Sequence, residues 1–372
     1  MKLLVQPEDG LAPLIKAVDK AQTSVDLMIF RFDRADLETA LARAVSRGVA
    51  VRALVAHLNK AGEDGLRALE LRLLAAGLSV ARTAGDLVRY HGKLMIVDRR
   101  DLYLFGFNFT LLDMERSRSF GVVTHRRAAV QEAMRLFEAD SKRIAYKPQS
   151  RALVVSPANA RKQLSAFLRG AQNELLIYDP AVTDSAMIRI LAERAKSGVR
   201  IRVLGRLAAR NPKLEVRKFA GLRLHTRTMI RDGRYAFIGS QSLRAAELDT
   251  RREIGILFGD RQVVPRIARI FEEDWRLAGK GKQKAHKQES LPAEKVARKV
   301  AKAVVKDLPP VAPALKEVIK EFGVEAGKLD LPRGQVEATV KGAVKSVVKE
   351  IVRDVVEERS EPRNGAAPDT RR

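Results

Sequence analysis

A chain of 372 residues that is 46% hydrophobic can bury one large core or two medium ones and still carry an appendage. It has no cysteine, which excludes a disulfide framework and a thiolate zinc site. Its net charge of +25 favours anionic partners, phospholipid surfaces or nucleic acid, without choosing between them. From Lys280 onward 21 Lys or Arg stand against 14 Asp or Glu, net +7, leaving +18 on residues 1–279. Most of the excess therefore belongs to the body of the chain. The start MKLLVQPEDG breaks its apolar run at Gln6, and no apolar stretch reaches the roughly 20 residues that span a bilayer. The expectation is a soluble cytoplasmic protein, with peripheral contact at an anionic inner membrane surface.

In chain order, an amphipathic helix is predicted near 11–22, then a strand over Ser24–Phe30, a helix N-capped by Asp36 and running to Gly48, and a strand over Val49–Val55. An extra helix is predicted around 64–76. Strands follow at 101–105 and 119–124, then a closing helix. After a linker the plan recurs: a strand over Glu174–Tyr178, a helix from Asp184, a strand over Gly198–Leu204, strands near 234–238 and 253–258, and another closing helix. Strand, helix, strand implies parallel crossover units, hence an α/β fold in two halves. The expected boundaries are 1–141 and 161–278 for the halves and 142–160 for the linker, with a basic hinge and helical extension over 279–360 and a disordered tail over 361–372. Valines between Val336 and Val355 fall on one helical face of that extension. Such a face either packs or lies on a membrane surface.

The halves are organised around a repeated motif. His91, Lys93 and Asp98 recur as His225, Arg227 and Asp232, at a constant offset of 134 that also relates Arg118 to Arg252, Gly121 to Gly255 and Phe137 to Phe271. On a strand, positions i and i+2 share a face, so each copy would present an imidazole beside a cation, a phosphate-handling pair. Arg118 and Arg252 read equally well as phosphate ligands or as a solvated ladder. His57, His125 and His286 read as ordinary surface or core histidines.

Paired HxKxxxxD motifs in two similar α/β halves resemble the phospholipase D superfamily, which includes phospholipases D, cardiolipin synthases, some nucleases and tyrosyl-DNA phosphodiesterase. The resemblance covers roughly residues 10–277. It implies two repeated halves with mixed, largely parallel sheets packed around one shared active site. The family's Gly-Ser-x-Asn signature falls on Phe105-Gly106-Phe107-Asn108, which keeps the Asn, and on Gly239-Ser240-Gln241-Ser242, which keeps Gly-Ser. The acidic residue that holds an imidazole in the family falls on Glu253 in the second half and on Ser119 in the first.

Cleaving a phosphodiester without metal needs a nucleophile and a separate acid for the leaving oxygen, hence two histidines, with Lys93 and Arg227 meeting the phosphate charge. The resemblance thus implies His91, Lys93, Asp98, His225, Arg227 and Asp232 as catalytic residues, supported by Asn108, Ser119, Ser240, Ser242 and Glu253, with no metal and no cofactor. His225, with Glu253 as its expected partner, would be the acid and His91 the nucleophile. The expected activity is cleavage of phospholipid phosphodiesters, by hydrolysis or phosphatidyl transfer, through a phosphohistidine. The alternatives are a metal-independent nuclease, disfavoured by only 5% aromatic residues, and an inactive phosphate-binding module.

Overall fold

The computed structural model describes residues 1–57, 62–208, 211–219 and 221–284. The first half runs β1 (Lys2–Gln6), α1 (Ala12–Lys20), β2 (Ser24–Ile29), α2 (Ala35–Ser46), β3 (Ala50–Val55), α3 (Gly62–Ala75), β4 (Ser79–Arg82), β5 (Arg89–Tyr90), β6 (Leu94–Val97), β7 (Asp101–Phe105), α4 (Leu111–Glu115), β8 (Ser117–Thr124) and α5 (Arg127–Ser141). The second runs β9 (Val154–Val155), α6 (Ala160–Arg169), β10 (Glu174–Val182), α7 (Ser185–Lys196), β11 (Arg200–Leu207), β12 (Leu214–Arg217), β13 (Arg223–Leu224), β14 (Arg227–Arg231), β15 (Tyr235–Gly239), α8 (Ala245–Asp249), β16 (Arg251–Arg252), β17 (Ile254–Gly259) and α9 (Val263–Lys284).

The sheets repeat one strand order: β1-β8-β7-β6-β2-β3-β4 in the first half, and β9-β17-β15-β14-β10-β11-β12 in the second. Both are mixed. Along these paths parallel pairing is confined to the crossover strands β2-β3-β4 and β10-β11-β12, while β6 and β14 run antiparallel to their neighbours. The sheets are thus less parallel than expected, because tight turns such as 98–100 return the chain beside itself as hairpins.

Side-chain alternation divides the apolar residues between two faces. Leu94 and Ile96 of β6 enter a core shared with Ile230, Ile254 and Ile256 of the other half. Met95 and Val97 point instead into the core beneath α1 and α2, and Met229 into its counterpart beneath α6 and α7. The closing helices α5 and α9 contribute Phe137, Phe271 and Trp275 to the shared core. The face between the halves is therefore the central hydrophobic core, not a hinge.

Several boundaries move. Asp184 caps α7 through Met187 N–H as expected, but α2 starts two residues earlier than predicted: Arg34 holds its N-cap position, and Asp36 lies inside the helix, paired with Arg34 at 2.7 Å. The segment expected as a linker contains β9, which occupies in the second sheet the edge that β1 occupies in the first. Helix α9 continues to Lys284, past the boundary expected at 278, and Met1–Lys284 forms one compact unit. The helical extension, its valine stripe, His286 and the tail over 361–372 lie outside the described residues. Because α9 extends further, a chain ending after Lys284 is expected to fold and to turn over a soluble phosphodiester, while its binding to anionic vesicles weakens at low salt. Vesicle co-sedimentation checks this; equal binding by the shortened and full chains would make the tail a packing or partner segment.

Candidate active site

His91 and Lys93 lie in the short stretch just before β6, and His225 lies just before β14, whose first residue is Arg227. The motifs open their strands instead of running inside them, so alternation on a strand does not bring imidazole and cation together. Backbone contacts from the opposite half hold both segments in place. The His91 N–H donates to the Arg252 carbonyl at 2.7 Å, and the His225 N–H to the Arg118 carbonyl at 3.2 Å. Short parallel pairings between halves flank both contacts, β5 with β16 and β8 with β13. Gly92 permits this approach, since a Cβ there would come within 2.4 Å of the Ile254 side chain.

The two cations sit equivalently. Lys93 Nζ donates to the His91 carbonyl at 2.7 Å, and Arg227 Nη1 to the His225 carbonyl at 2.8 Å. Lys93 is 1% exposed, with Nζ 5.6 Å from the centre of the Phe30 ring. The same ring meets His91 edge-on at 4.5 Å.

Each imidazole faces a carboxylate from the other half. His91 Nδ1 lies 2.7 Å from Glu253 Oε2, and His225 Nδ1 lies 3.2 Å from Asp113 Oδ2, near enough for an ion pair but outside hydrogen-bond geometry. Glu253 therefore partners His91 and not His225 as expected, because β17 is brought across the shared core to the opposite motif. The environments differ in electrostatics. Burial drives both histidines well below their usual range, and Lys93 and Arg227 lower both further; the largest charge effect on His91 is that of Lys93, whereas on His225 it is that of Asp113, which opposes the others. Burial also raises Asp113, but His225, Arg223 and Asn108 outweigh it and hold the carboxyl low, hence ionised. Glu253 is raised by burial, against Lys93.

Asn108 supports Asp113 through both its backbone N–H and Nδ2, each at 2.7 Å, and its Oδ1 is buried without a partner. Ser242 does the same for Glu247 through its N–H at 2.6 Å, and its hydroxyl donates to Asp179 at 2.7 Å. The two signature fragments thus each hold a carboxylate. Ser240 accepts from the Ile254 N–H at 3.1 Å, fastening the strand that carries Glu253, and Ser119 Oγ is buried without a partner.

Asp98 and Asp232, expected as catalytic, lie at the far ends of β6 and β14. Asp98 accepts backbone N–H groups of Gln22, Thr23 and Ser24, and Asp232 those of Gln172, Asn173 and Glu174. A strand of four residues in β6 and of five in β14 separates each from its histidine, so both fix the loop before the neighbouring strand. Arg118 and Arg252 do not form a solvated ladder. They are buried and paired across the halves, Arg118 with Asp274 at 2.9 Å and Arg252 with Asp140 at 3.0 Å. His125 pairs with Asp101 on the surface, and the His57 backbone donates its N–H to Thr83 and accepts from Arg82 at its carbonyl. Asp113, Glu247 and Phe30 were missed. The offset of 134 relates Asp113 to Glu247, a signal that was present but lay outside the motifs.

Burial pushes the Lys93 ammonium down to about 7, with Arg227 adding to the effect and Glu253 opposing it. Between about 7 and its ordinary 10.5 the unfolded chain holds a proton that the folded chain does not, so this term makes stability rise with pH in that window. Phosphate needs the charged form. The free enzyme's kcat/KM is therefore expected to fall as pH rises through about 7, and Lys93→Arg, charged throughout, to move that limb to higher pH. A pH–rate profile in which Lys93→Arg leaves the limb in place would assign it to the histidines.

The family described as cardiolipin synthase, phospholipase D-like domain matches residues 14–141 and 164–275. A mitochondrial cardiolipin hydrolase of Danio rerio is 29% identical over 136 residues, 36% of this chain, and the match spans 59% of that relative's length. Among solved structures, a polyphosphate kinase from Porphyromonas gingivalis superposes with a TM-score of 0.62 at 18% identity, covering 74% of this chain and 50% of that one. A phosphatidylserine synthase from Haemophilus influenzae superposes at 0.56 and 11% identity, covering 74% and 86%. At those identities the structural likeness concerns the fold alone.

Proposed function

The chain belongs to the phospholipase D superfamily, through the cardiolipin synthase-type domain that occupies both halves, and on that premise we propose a phosphodiesterase or phosphatidyltransferase acting on phospholipid through a phosphohistidine. The observation that carries this reading is the crossed pairing: each histidine is backed by a carboxylate from the opposite half, with one cation beside each. His91 is the nucleophile. Glu253 accepts its Nδ1–H, which leaves the Nε2 lone pair for phosphorus. As the P–N bond forms, the P–O bond to the leaving group breaks, and His225, whose charged form ionised Asp113 favours against the effect of burial, gives that oxygen its proton. In the second half-reaction His225 takes a proton from water or an alcohol, whose oxygen attacks phosphorus and releases His91. Lys93 and Arg227 offset the charge of the non-bridging oxygens. His91 keeps the nucleophile role assigned from sequence, for a different reason: the ionised carboxylate that favours an acid is Asp113, on His225.

The description of the matched family and the name of the curated relative both refer to cardiolipin, which favours a phospholipid over a nucleic acid. Among the described residues no group of three or more His, Asp or Glu is placed to hold a metal, and the cations stand where a metal would offset phosphate charge. Turnover in excess chelator is expected to match turnover without it, on phosphatidyl lipids in preference to single- or double-stranded DNA. Activity restored only by magnesium would overturn the chemistry; faster cleavage of DNA would make the protein a nuclease; no turnover on either would leave a phosphate-binding module.

A further inference from the structure

A groove of about 780 Å³ lies in the second half, away from the histidines. One wall is α6 and the other the far ends of β14, β15 and β17, with loop residues 148–151 closing one side. Arg231 at its floor ends β14, whose first residue is Arg227, so at roughly 3.3 Å per residue the groove lies about 13 Å along the strand from the active site.

Its lining is one-sided in charge. Arg126, Arg151, Lys162 and Arg231 line it, and no Asp or Glu does. Among the described residues none of the four makes an ion pair: Arg126 and Arg231 donate to backbone carbonyls, and Arg231 Nε is buried without a partner. The Arg231 guanidinium lies 4.6 Å from the Tyr235 ring and 4.9 Å from that of Phe167, and Tyr235 is 46% exposed. The loop wall is rigidly built. Glu132, fully buried behind it, accepts from Tyr146 Oη at 2.6 Å, the Gln149 N–H at 3.2 Å and Ser150 Oγ at 2.9 Å.

The first half provides an internal comparison. The offset of 134 places Val97 and Asp101 where the second half has Arg231 and Tyr235, and Asp101 is spent on an ion pair with His125. The cap contacts of Asp98 and Asp232 align α1 with α6 at an offset of 150, which sets Ala12 against Lys162. At these three positions the first half carries neither a cation nor an aromatic ring, so the fold does not require them there.

We propose that this groove is a second binding site, for a nucleoside polyphosphate, whose phosphates engage Arg126, Arg151 and Lys162 and whose base stacks on Tyr235. Its volume falls within the range of small-ligand pockets. Unpaired cations meet phosphate without first breaking ion pairs, and an exposed ring beside them suits a base. A lipid surface would need a convex or flat basic face, which a groove does not offer.

Calorimetric titration of the full chain with ATP, inorganic tripolyphosphate and adenosine tests this. ATP is expected to bind more tightly than either fragment. Tyr235→Ala should weaken ATP about tenfold and leave tripolyphosphate unchanged. Joint Lys162→Glu and Arg151→Glu, at exposed positions that should not disturb folding, should weaken both polyphosphates about tenfold or more. Absence of ATP binding at millimolar concentration, or affinity unaltered by these variants, overturns the site. Equal affinity for ATP and tripolyphosphate, insensitive to Tyr235→Ala, overturns the nucleotide assignment. Anionic-vesicle binding that the charge reversal abolishes, without ATP affinity, overturns it in favour of a membrane surface.

Discussion

His91→Gln is expected to lower kcat/KM for phosphodiester cleavage by about 10⁴-fold or more, because the covalent route is lost and only binding and electrostatic stabilisation by Lys93 and Arg227 remain. His225→Gln should behave differently according to the leaving group. With a natural alkoxide, bond breaking needs the proton from His225 and the loss should approach that of His91→Gln. With a nitrophenolate, which leaves without protonation, the first step should survive while dephosphorylation stalls for want of a base. Label from a substrate carrying radioactive phosphate should then accumulate on His91 in rapid-quench experiments with His225→Gln. Label on His225 alone in the wild-type chain would exchange the two roles. The asymmetry rests on which charge each imidazole feels most: with burial holding both low, the largest charge effect on His225 is that of ionised Asp113, which raises it, and on His91 that of Lys93, which lowers it further.

Asp140→Ala is expected to destabilise the fold by about 3–5 kcal/mol, since it leaves the Arg252 guanidinium buried without its carboxylate. Denaturant unfolding measures this directly. Burial pushes the Asp140 carboxyl up to about 6 even with Arg252 at 3.0 Å, so the attraction falls short of the cost of desolvating the carboxylate. It follows that Asp140→Leu combined with Arg252→Met should recover most of the loss, as apolar replacement of a buried pair generally does. Activity should not recover with it. The Arg252 carbonyl holds the His91 N–H, and Arg252 also donates to the Ser156 carbonyl. A displacement of about 1 Å at His91 is enough to cost roughly 10²-fold in rate. A double variant that restored stability and full turnover together would show that the ion pair does not position the histidine.

Much of the fold was legible because its signals are local. Strands β2, β3, β10 and β11 and helix α7 follow from apolar runs and one capping aspartate, and the extra helix α3 from its own pattern. Strand β9 was not legible: two residues, Val154 and Val155, become a strand only because β17 offers them a free edge. Nor does periodicity on one strand report the partner's direction, which is why the antiparallel share of both sheets was underestimated.

What the sequence by itself determined is the duplication and, with it, which two histidines and which two cations recur. An offset of 134 kept across strands, helices and motifs follows from residue order alone. The conclusion that one half must face the other follows from chemistry that needs two imidazoles. Only the tertiary structure decided which groups work together. Glu253 lies on the sequence beside the second motif yet reaches His91, and Asp113 lies in the first half yet reaches His225. Asp98 and Asp232, invariant in spacing from their histidines, are carried by β6 and β14 to the opposite end of the sheet, where they cap loops. Sequence spacing measures distance along a strand, whereas a site at the junction of two halves is assembled from groups that pack across it. The shared core between the sheets, from Leu94 and Ile96 to Ile254 and Ile256, sets those pairings.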